Sequence, residues 1–205
     1  VFTLPSWSET LDNLVERDGL FYKKFMDVPF TGDVEEETRK YSYKNGMLDG
    51  SWVTYWDNGQ LLSKGNFKNN RREGSWKKYY ENGQLKEKGD YKNGQKEGYW
   101  VEYKENRQQD RGTYKNGKRE GSWEKYYENG QLKEKGDYKN GKREGLQIEN
   151  YYNGNLNWKV NMKDDRREGA HEKYYPNGQL SSKGDYKNDK WEGSWEYYYP
   201  NGQLS

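Results

Sequence analysis

The side chains of this sequence that could do acid–base work are its 34 carboxylates and a single histidine, His171. The Asp and Glu residues recur at a fixed spacing, so they read as charge pairs on the surface of a repeated sheet rather than as a catalytic pair. His171 stands where the spacing calls for Trp, and it reads as a ring substituted for a ring. There is no Cys, which excludes disulfides, thiolate metal sites and Cys nucleophiles. The 24 glycines include no G-x-x-x-x-G-K-[ST] pattern after a strand, so no phosphate-cradling loop is present. The run Arg71-Arg72-Glu73 returns as Lys118-Arg119-Glu120, Lys142-Arg143-Glu144 and Arg166-Arg167-Glu168. These runs read as solvated turns that keep a sheet soluble and deter edge pairing. The sequence therefore points to no catalytic, cofactor-binding or metal site, and to a protein that is not an enzyme.

What must position such residues is a thin core. Apolar residues are 29% of the 205 and mean hydropathy is −1.61. Values that low are typical of chains that cannot offset their conformational entropy. Against that, aromatic residues make up 17%, with 21 Tyr and 9 Trp, and 36 basic residues nearly balance the acidic ones. Amphipathic rings bury area while keeping a polar edge, so the chain reads as folded. The charge bias is mild. Residues 1–49 hold 6 basic and 10 acidic side chains, and residues 50–205 hold 30 and 24. No basic stripe of the kind that binds nucleic acid is present.

The sentence "YYENGQLKEKGDYKNGQKEG", from Tyr79 to Gly98, returns as "YYENGQLKEKGDYKNGKREG" from Tyr126 to Gly145. Glycines mark the period at Gly50, Gly74, Gly98, Gly121, Gly145, Gly169 and Gly193, in steps of 24 residues with one of 23. The consensus is G-S-W-x-x-Y-Y-x-N-G-Q-L-x-x-K-G-x-Y-K-N-G-x-x-E. Each unit carries two Asn-Gly turns, and Asn-Gly favours a two-residue type I′ hairpin. The turn glycines are Gly59, Gly83, Gly130, Gly154 and Gly178 at the first turn and Gly94, Gly117 and Gly141 at the second. Pairing across Asn82-Gly83 places Tyr80 opposite Leu85, Lys78 opposite Glu87, Trp76 opposite Gly89 and Gly74 opposite Tyr91. Side chains alternate along a strand, so one face is aromatic and the other charged, with Tyr79 opposite Lys86. The repeated rings are Trp52, Trp76, Trp100, Trp123 and Trp195, with Tyr80, Tyr91, Tyr127 and Tyr138. A ring opposite a glycine is the pairing known as aromatic rescue.

Departures fit the same register. Gln147 replaces Trp, and the position opposite it holds Val160 in place of Gly, which reads as volume compensation. That strand carries Leu156, Trp158, Val160 and Met162 on one face, the candidate patch for a partner. The unit from Gly98 is one residue short and has Asn106-Arg107 in place of Asn-Gly, so its turn is expected to differ. Before Gly50 the pattern is looser. Leu11, Leu14 and Val15 at helical spacing predict a short helix ending at Gly19, followed by irregular strands. "VFTLPSWS" at the start reads as the end of an export signal cut after Ser8.

The units "GSWKKYYENGQLKEKGDYKNG" and "GSWEKYYENGQLKEKGDYKNG" resemble the bacterial variant of the MORN (membrane occupation and recognition nexus) repeat, found in proteins described as YwqK-type toxin–antitoxin antitoxins. "LVERDGLFYKKFMDVPFTGDV" resembles the segment that precedes such arrays. The resemblance implies a repeated-hairpin sheet, an interaction role and no chemistry. It also implies lipid as a partner class, but no segment concentrates the basic and aromatic residues that lipid binding requires. The expected fold is all-β: an elongated single-layer antiparallel sheet of tandem 24-residue hairpins. Its parts are a signal remnant (1–8), a cap with a degenerate repeat and a short helix (9–49), and the array (50–205), which breaks off inside a repeat. The expected function is a scaffold that binds another protein, without cofactors, in the periplasm or outside the cell. A cytoplasmic antitoxin or immunity protein that covers a toxin is the first alternative, and a structural cell-surface array the second.

Overall fold

The structure, a computed structural model, describes residues 8–105 and 107–205; the proposed signal remnant, apart from Ser8, and Asn106 lie outside the described residues. The chain divides into two units, Val1–Glu97 and Gly98–Ser205. It is all-β. Its first strands are β1 (Leu14–Arg17), β2 (Leu20–Lys23), β3 (Gly32–Glu36), β4 (Arg39–Lys44), β5 (Met47–Tyr55), β6 (Leu61–Lys68), β7 (Arg71–Tyr79), β8 (Leu85–Lys92) and β9 (Gln95–Tyr103). There follow β10 (Gln109–Lys115), β11 (Lys118–Tyr126), β12 (Leu132–Lys139), β13 (Lys142–Asn150), β14 (Leu156–Lys163), β15 (Arg166–Tyr174), β16 (Leu180–Lys187) and β17 (Lys190–Tyr197). β1 pairs only with β2, and β3 to β17 form an antiparallel sheet of 15 strands in chain order. This is the tandem-hairpin sheet the repeat predicts.

The predicted helix is absent. Leu11–Asn13 make one 3₁₀ turn, and Leu14 and Val15 enter β1. The local reason is Asp18-Gly19, whose φ values of +51° and +76° make a type I′ turn that folds β1 onto β2. Leu14 is then buried with Phe30, Val34, Tyr41 and Tyr43. Tyr43, with its hydroxyl in this cluster, has its pKa pushed up to about 12, first by burial. The backbone of Glu9 bonds to Asp33 and Glu35 along the outer edge of β3, which occupies groups an edge strand would otherwise expose.

The predicted register holds from Gly74 to Lys78, with Trp76 opposite Gly89 and Lys78 opposite Glu87. It shifts beyond Lys78, so that Tyr79, not Tyr80, pairs with Leu85. The cause is the first turn. It is not type I′ but a three-residue loop, in which Tyr80 N–H donates to the Gln84 carbonyl (2.8 Å) and Gly83 N–H to the Tyr80 carbonyl (2.9 Å). Gly83 alone takes a left-handed φ of +80°, as this loop requires. The Asn82 carboxamide oxygen instead accepts from Gln84 N–H at 2.9 Å, the Asx pattern. Only the second turn is type I′, as at Asn93-Gly94, with φ of +51° and +83°.

The short unit closes its first loop with the same pair of hydrogen bonds. Lys104 N–H donates to Gln108 (2.8 Å) and Arg107 N–H to Lys104 (2.9 Å), with Arg107 at φ +67°. Asn106 lies outside the described residues, and the bonds that close the loop around it are those of the other units. The deletion is absorbed in the strand instead: β9 and β10 pair without the register shift seen after the other first loops. The lost residue is the bulge residue that Lys86 supplies elsewhere.

A second irregularity sets the ring positions. On β11, Trp123 pairs with Gly112 and Glu120 with Thr113, leaving Gly121 and Ser122 as extra residues in a bulge. Gly121 takes φ +65° there. The Trp123 ring lies on Gly112, where a Cβ would meet its Cδ2 at 2.4 Å, and its indole N–H donates to the Thr113 carbonyl at 3.0 Å. Trp76 lies on Gly65 in the same way, with Nε1 3.1 Å from the Asn66 carbonyl. Each ring thus covers the glycine of the strand before it rather than that of its own hairpin. This redirects the compensation at Val160. Gln147 lies on Gly136 and its amide donates to the Asp137 carbonyl at 3.0 Å, in place of the indole. The ring that meets position 160 belongs to His171, its partner on β15. The smaller imidazole leaves room for the valine.

Gly112→Val in an otherwise intact chain should lose roughly 1–3 kcal/mol to overpacking. Adding Trp123→His, the combination found at 160 and 171, should recover part of that loss. Thermal midpoints of the two single variants and the double variant measure the coupling. Strictly additive losses would show that the ring does not constrain the glycine.

Candidate functional site

The two faces of the sheet differ in chemistry. On the charged face of the second unit, Glu124 accepts from the Tyr126 hydroxyl (2.6 Å) and from Arg111 (2.8 Å), and pairs with Lys135 (3.2 Å). These contacts, the tyrosine hydroxyl first, lower its pKa to about 2. Lys159 with Glu172 and Lys183 with Glu196 repeat the pairing at 2.9 and 3.1 Å. This face is a lattice of compensated charge. Among the described residues, no group of His, Asp and Glu is placed to hold a metal ion.

The other face is a line of rings under arginines. In the first unit, Tyr41 stacks on Trp52 (4.3 Å), and contacts run on through Phe67 and Trp76 to Tyr91. In the second unit they run from Trp100 through Tyr114 and Trp123 to Tyr138. Arg119 lies 4.1 Å over Trp123 and 5.3 Å over Tyr138, and Arg72 lies 4.8 Å over Trp76. The middle arginines of three of the four runs, Arg72, Arg119 and Arg167, therefore pack on rings instead of standing in solvent, and Arg143 does not. The glutamates are engaged too. Glu73, Glu120, Glu144 and Glu168 each accept from the first residue of the next repeat's second turn, at 2.8–3.1 Å. The solvated-turn reading is corrected: these runs join each repeat to the next. The sequence cue was the fixed three-residue grouping ahead of the period-marking glycine.

Within the second unit the line of rings stops at Tyr138 and resumes at His171, which contacts Tyr186 (5.4 Å) and Trp195 (5.5 Å). The interval holds the sequence-predicted patch. Val160 and Met162 are buried against Tyr186, while Leu156 and Trp158 are half-buried. A groove of about 610 Å³ opens here, lined by Trp158, Val160, Met162, Tyr186, Trp191 and Trp195 among others. Trp191 is 67% exposed, and its ring lies 5.0 Å from Trp195. The sequence reading passed over Trp191, although the spacing shows it. Two residues before the period-marking glycine stand Arg72, Lys96, Arg119, Arg143 and Arg167, and then Trp191. Trp76, Trp100, Trp123 and Tyr91 are buried; Trp52, Trp195, Tyr80, Tyr127 and Tyr138 are half-buried. The eight turn glycines all take φ between +76° and +88°.

The family model for the MORN repeat variant matches residues 48–69, 72–93, 119–140, 167–188 and 191–205, half of the chain. The chain belongs to this family. No curated protein matches it. MORN repeats are commonly protein- or membrane-interaction motifs in a repeat scaffold. The matched MORN segments leave out residues 141–166, where Gln147, Trp158, Val160 and Met162 depart from the consensus.

Glu124 gives a pH test of the charged face. A carboxylate held below its unfolded value stabilises the fold above that value and loses its contribution as pH falls through the folded one. Here the window runs from about pH 4.5 down to about 2. Glu124→Gln should flatten that part of a urea-midpoint-against-pH curve and leave the neutral region less changed in slope. Identical slopes for the two proteins in this window would contradict the assignment.

Proposed function

We propose that this chain is a non-enzymatic protein-binding scaffold that reads its partner at the break in the repeat, in the second unit. The observation that carries the reading is the groove where the line of rings is interrupted. A partner reading the regular face would meet the same Trp, Tyr and Arg at every repeat, which gives affinity without a unique address. The groove differs from its neighbours in shape and carries exposed tryptophan, a residue that anchors interfaces. An antitoxin that covers a toxin is one instance of the same reading. The apolar start before Ser6 and Ser8 supports export, with the protein working in the periplasm or outside the cell.

Trp158→Glu restores the residue found at this position in Glu87 and Glu134. It should leave the thermal midpoint close to that of the parent and lower partner capture from source-cell extract by about 2 kcal/mol of affinity or more, the hot-spot scale. A lowered midpoint with unchanged capture would make Trp158 a packing residue only. Export is checked separately by intact-mass measurement of the native protein, which should begin at or near Glu9. A mature chain that retains Trp7 would refute it.

A further inference from the structure

The groove can be assigned a partner chemistry from the charges at its margin. In regular repeats, each cation on this face is compensated. Lys78 pairs with Glu87 at 2.7 Å and Lys125 with Glu134 at 2.6 Å. Lys173 occupies the same place on β15. Its cross-strand neighbours are Trp158 on one side and Ser182 on the other, so the carboxylate that Glu87 and Glu134 supply from the following strand is replaced by Ser182. Lys173 is exposed and has no carboxylate partner among the described residues. Arg143 is the second case. Arg72 and Arg119 lie over the Trp four residues on, but four residues on from Arg143 stands Gln147. Arg143 is exposed, and no ring or carboxylate receives its side chain among the described residues.

Of the other charges in the groove, Arg167 is matched by Asp189 at 3.2 Å. The lining holds three cations and one anion in all, so Lys173 and Arg143 are left unmatched. Glu149 lies outside it, across Trp158 from Lys173, where it accepts from the Asn157 carboxamide at 2.9 Å. The pKa of His171 is pushed down, first by burial and then by the positive charges of Arg167 and Lys173, as a net cationic groove requires. The same substitutions that open the groove therefore leave uncompensated positive charge at its margin. An apolar floor beside bare cations selects a ligand with an apolar body and negative charge next to it.

We infer that the groove takes an acidic segment of a partner protein, with an apolar side chain seated against Trp191, Trp195, Tyr186 and Met162 and carboxylates at Lys173 and Arg143. This rests on the protein-binding reading above and adds the partner's chemistry to it. The test is selection of a random displayed peptide library on the full chain, followed by fluorescence anisotropy with the most enriched peptide. Enriched peptides should carry Asp or Glu flanking an aromatic or large aliphatic residue. Lys173→Glu and Trp191→Arg should each weaken the peptide roughly tenfold or more, and Lys125→Glu, in an intact pair on the same face, should not. Both diagnostic residues are exposed, and equal thermal midpoints confirm folding. Should Lys173→Glu lower the midpoint, Trp191→Arg, which restores the consensus residue, decides alone. Neutral or basic consensus peptides, indifference to both substitutions, or no enrichment would overturn the inference. So would phosphatidylserine vesicles or single-stranded oligonucleotides that bind with the same Lys173 dependence while acidic peptides do not. The protein-binding reading stands or falls on the Trp158→Glu capture, so the two failures are distinguishable.

Discussion

The contact on which the rest of the sheet depends is a tryptophan lying flat on a glycine of the preceding strand, with its indole N–H turned to the next carbonyl. It solves two problems at once. The bulge before Trp76 and before Trp123 takes the backbone out of the regular ladder, and a buried carbonyl without a donor is costly. The indole supplies the donor. The glycine supplies the space, because at Gly65 even a methyl would stand 2.2 Å from the Trp76 ring. Gln147 shows that the two roles separate. It keeps the hydrogen bond to Asp137 while giving up the ring, and the line of aromatic contacts breaks there. At Trp195 the other half fails: the ring covers Gly184, but its N–H is buried without a partner among the described residues.

A sheet of short hairpins with little aliphatic core needs support between repeats as well as within them. The turns provide it. Asn129, Asn153 and Asn177 each donate a carboxamide N–H to a carbonyl 23 residues on, at 3.0–3.2 Å. Tyr127, Tyr151 and Tyr175 donate their hydroxyls to carbonyls 23 residues on, at 2.8–2.9 Å. On the opposite margin, turn N–H groups donate to the Glu of the previous repeat. Both margins are laced by polar side chains whose spacing equals the period. Stability of this kind is summed from neighbour to neighbour, which lets one repeat change its face without unfolding the next.

The pairing of Trp76 with Gly89 and the type I′ second turn were legible because alternation and the Asn-Gly rule are local. The first turn was not. The same dipeptide at Asn82-Gly83 is drawn into a three-residue loop, where its side chain serves Gln84 and its counterpart Asn58 reaches the Glu81 carbonyl. No local rule sees a bond to the next repeat. Which of two flanking glycines a ring covers is likewise invisible to a pairing argument: Val160 does pair with Gln147, but the ring that meets it is His171 on its other side. The helix expected on Leu11, Leu14 and Val15, ending at Gly19, failed because Asp18-Gly19 reverses the chain, and apolar spacing over so short a window fits a strand equally well.

The candidate site was half legible for the same reason. Leu156, Trp158, Val160 and Met162 stand out by hydrophobicity, the property a sequence displays most openly. Trp191, Lys173 and Arg143 stand out only by what is missing beside them: an arginine, a cross-strand glutamate and a tryptophan. In a repeat protein, an unchanged residue acquires a new role when its partner is replaced. Lys173 is the lysine also found as Lys78 and Lys125, and its consequence lies in Ser182 and Trp158. Function in such an array is written at conserved-looking positions by substitutions across the strand, so the unit to be compared is the cross-strand pair rather than the residue.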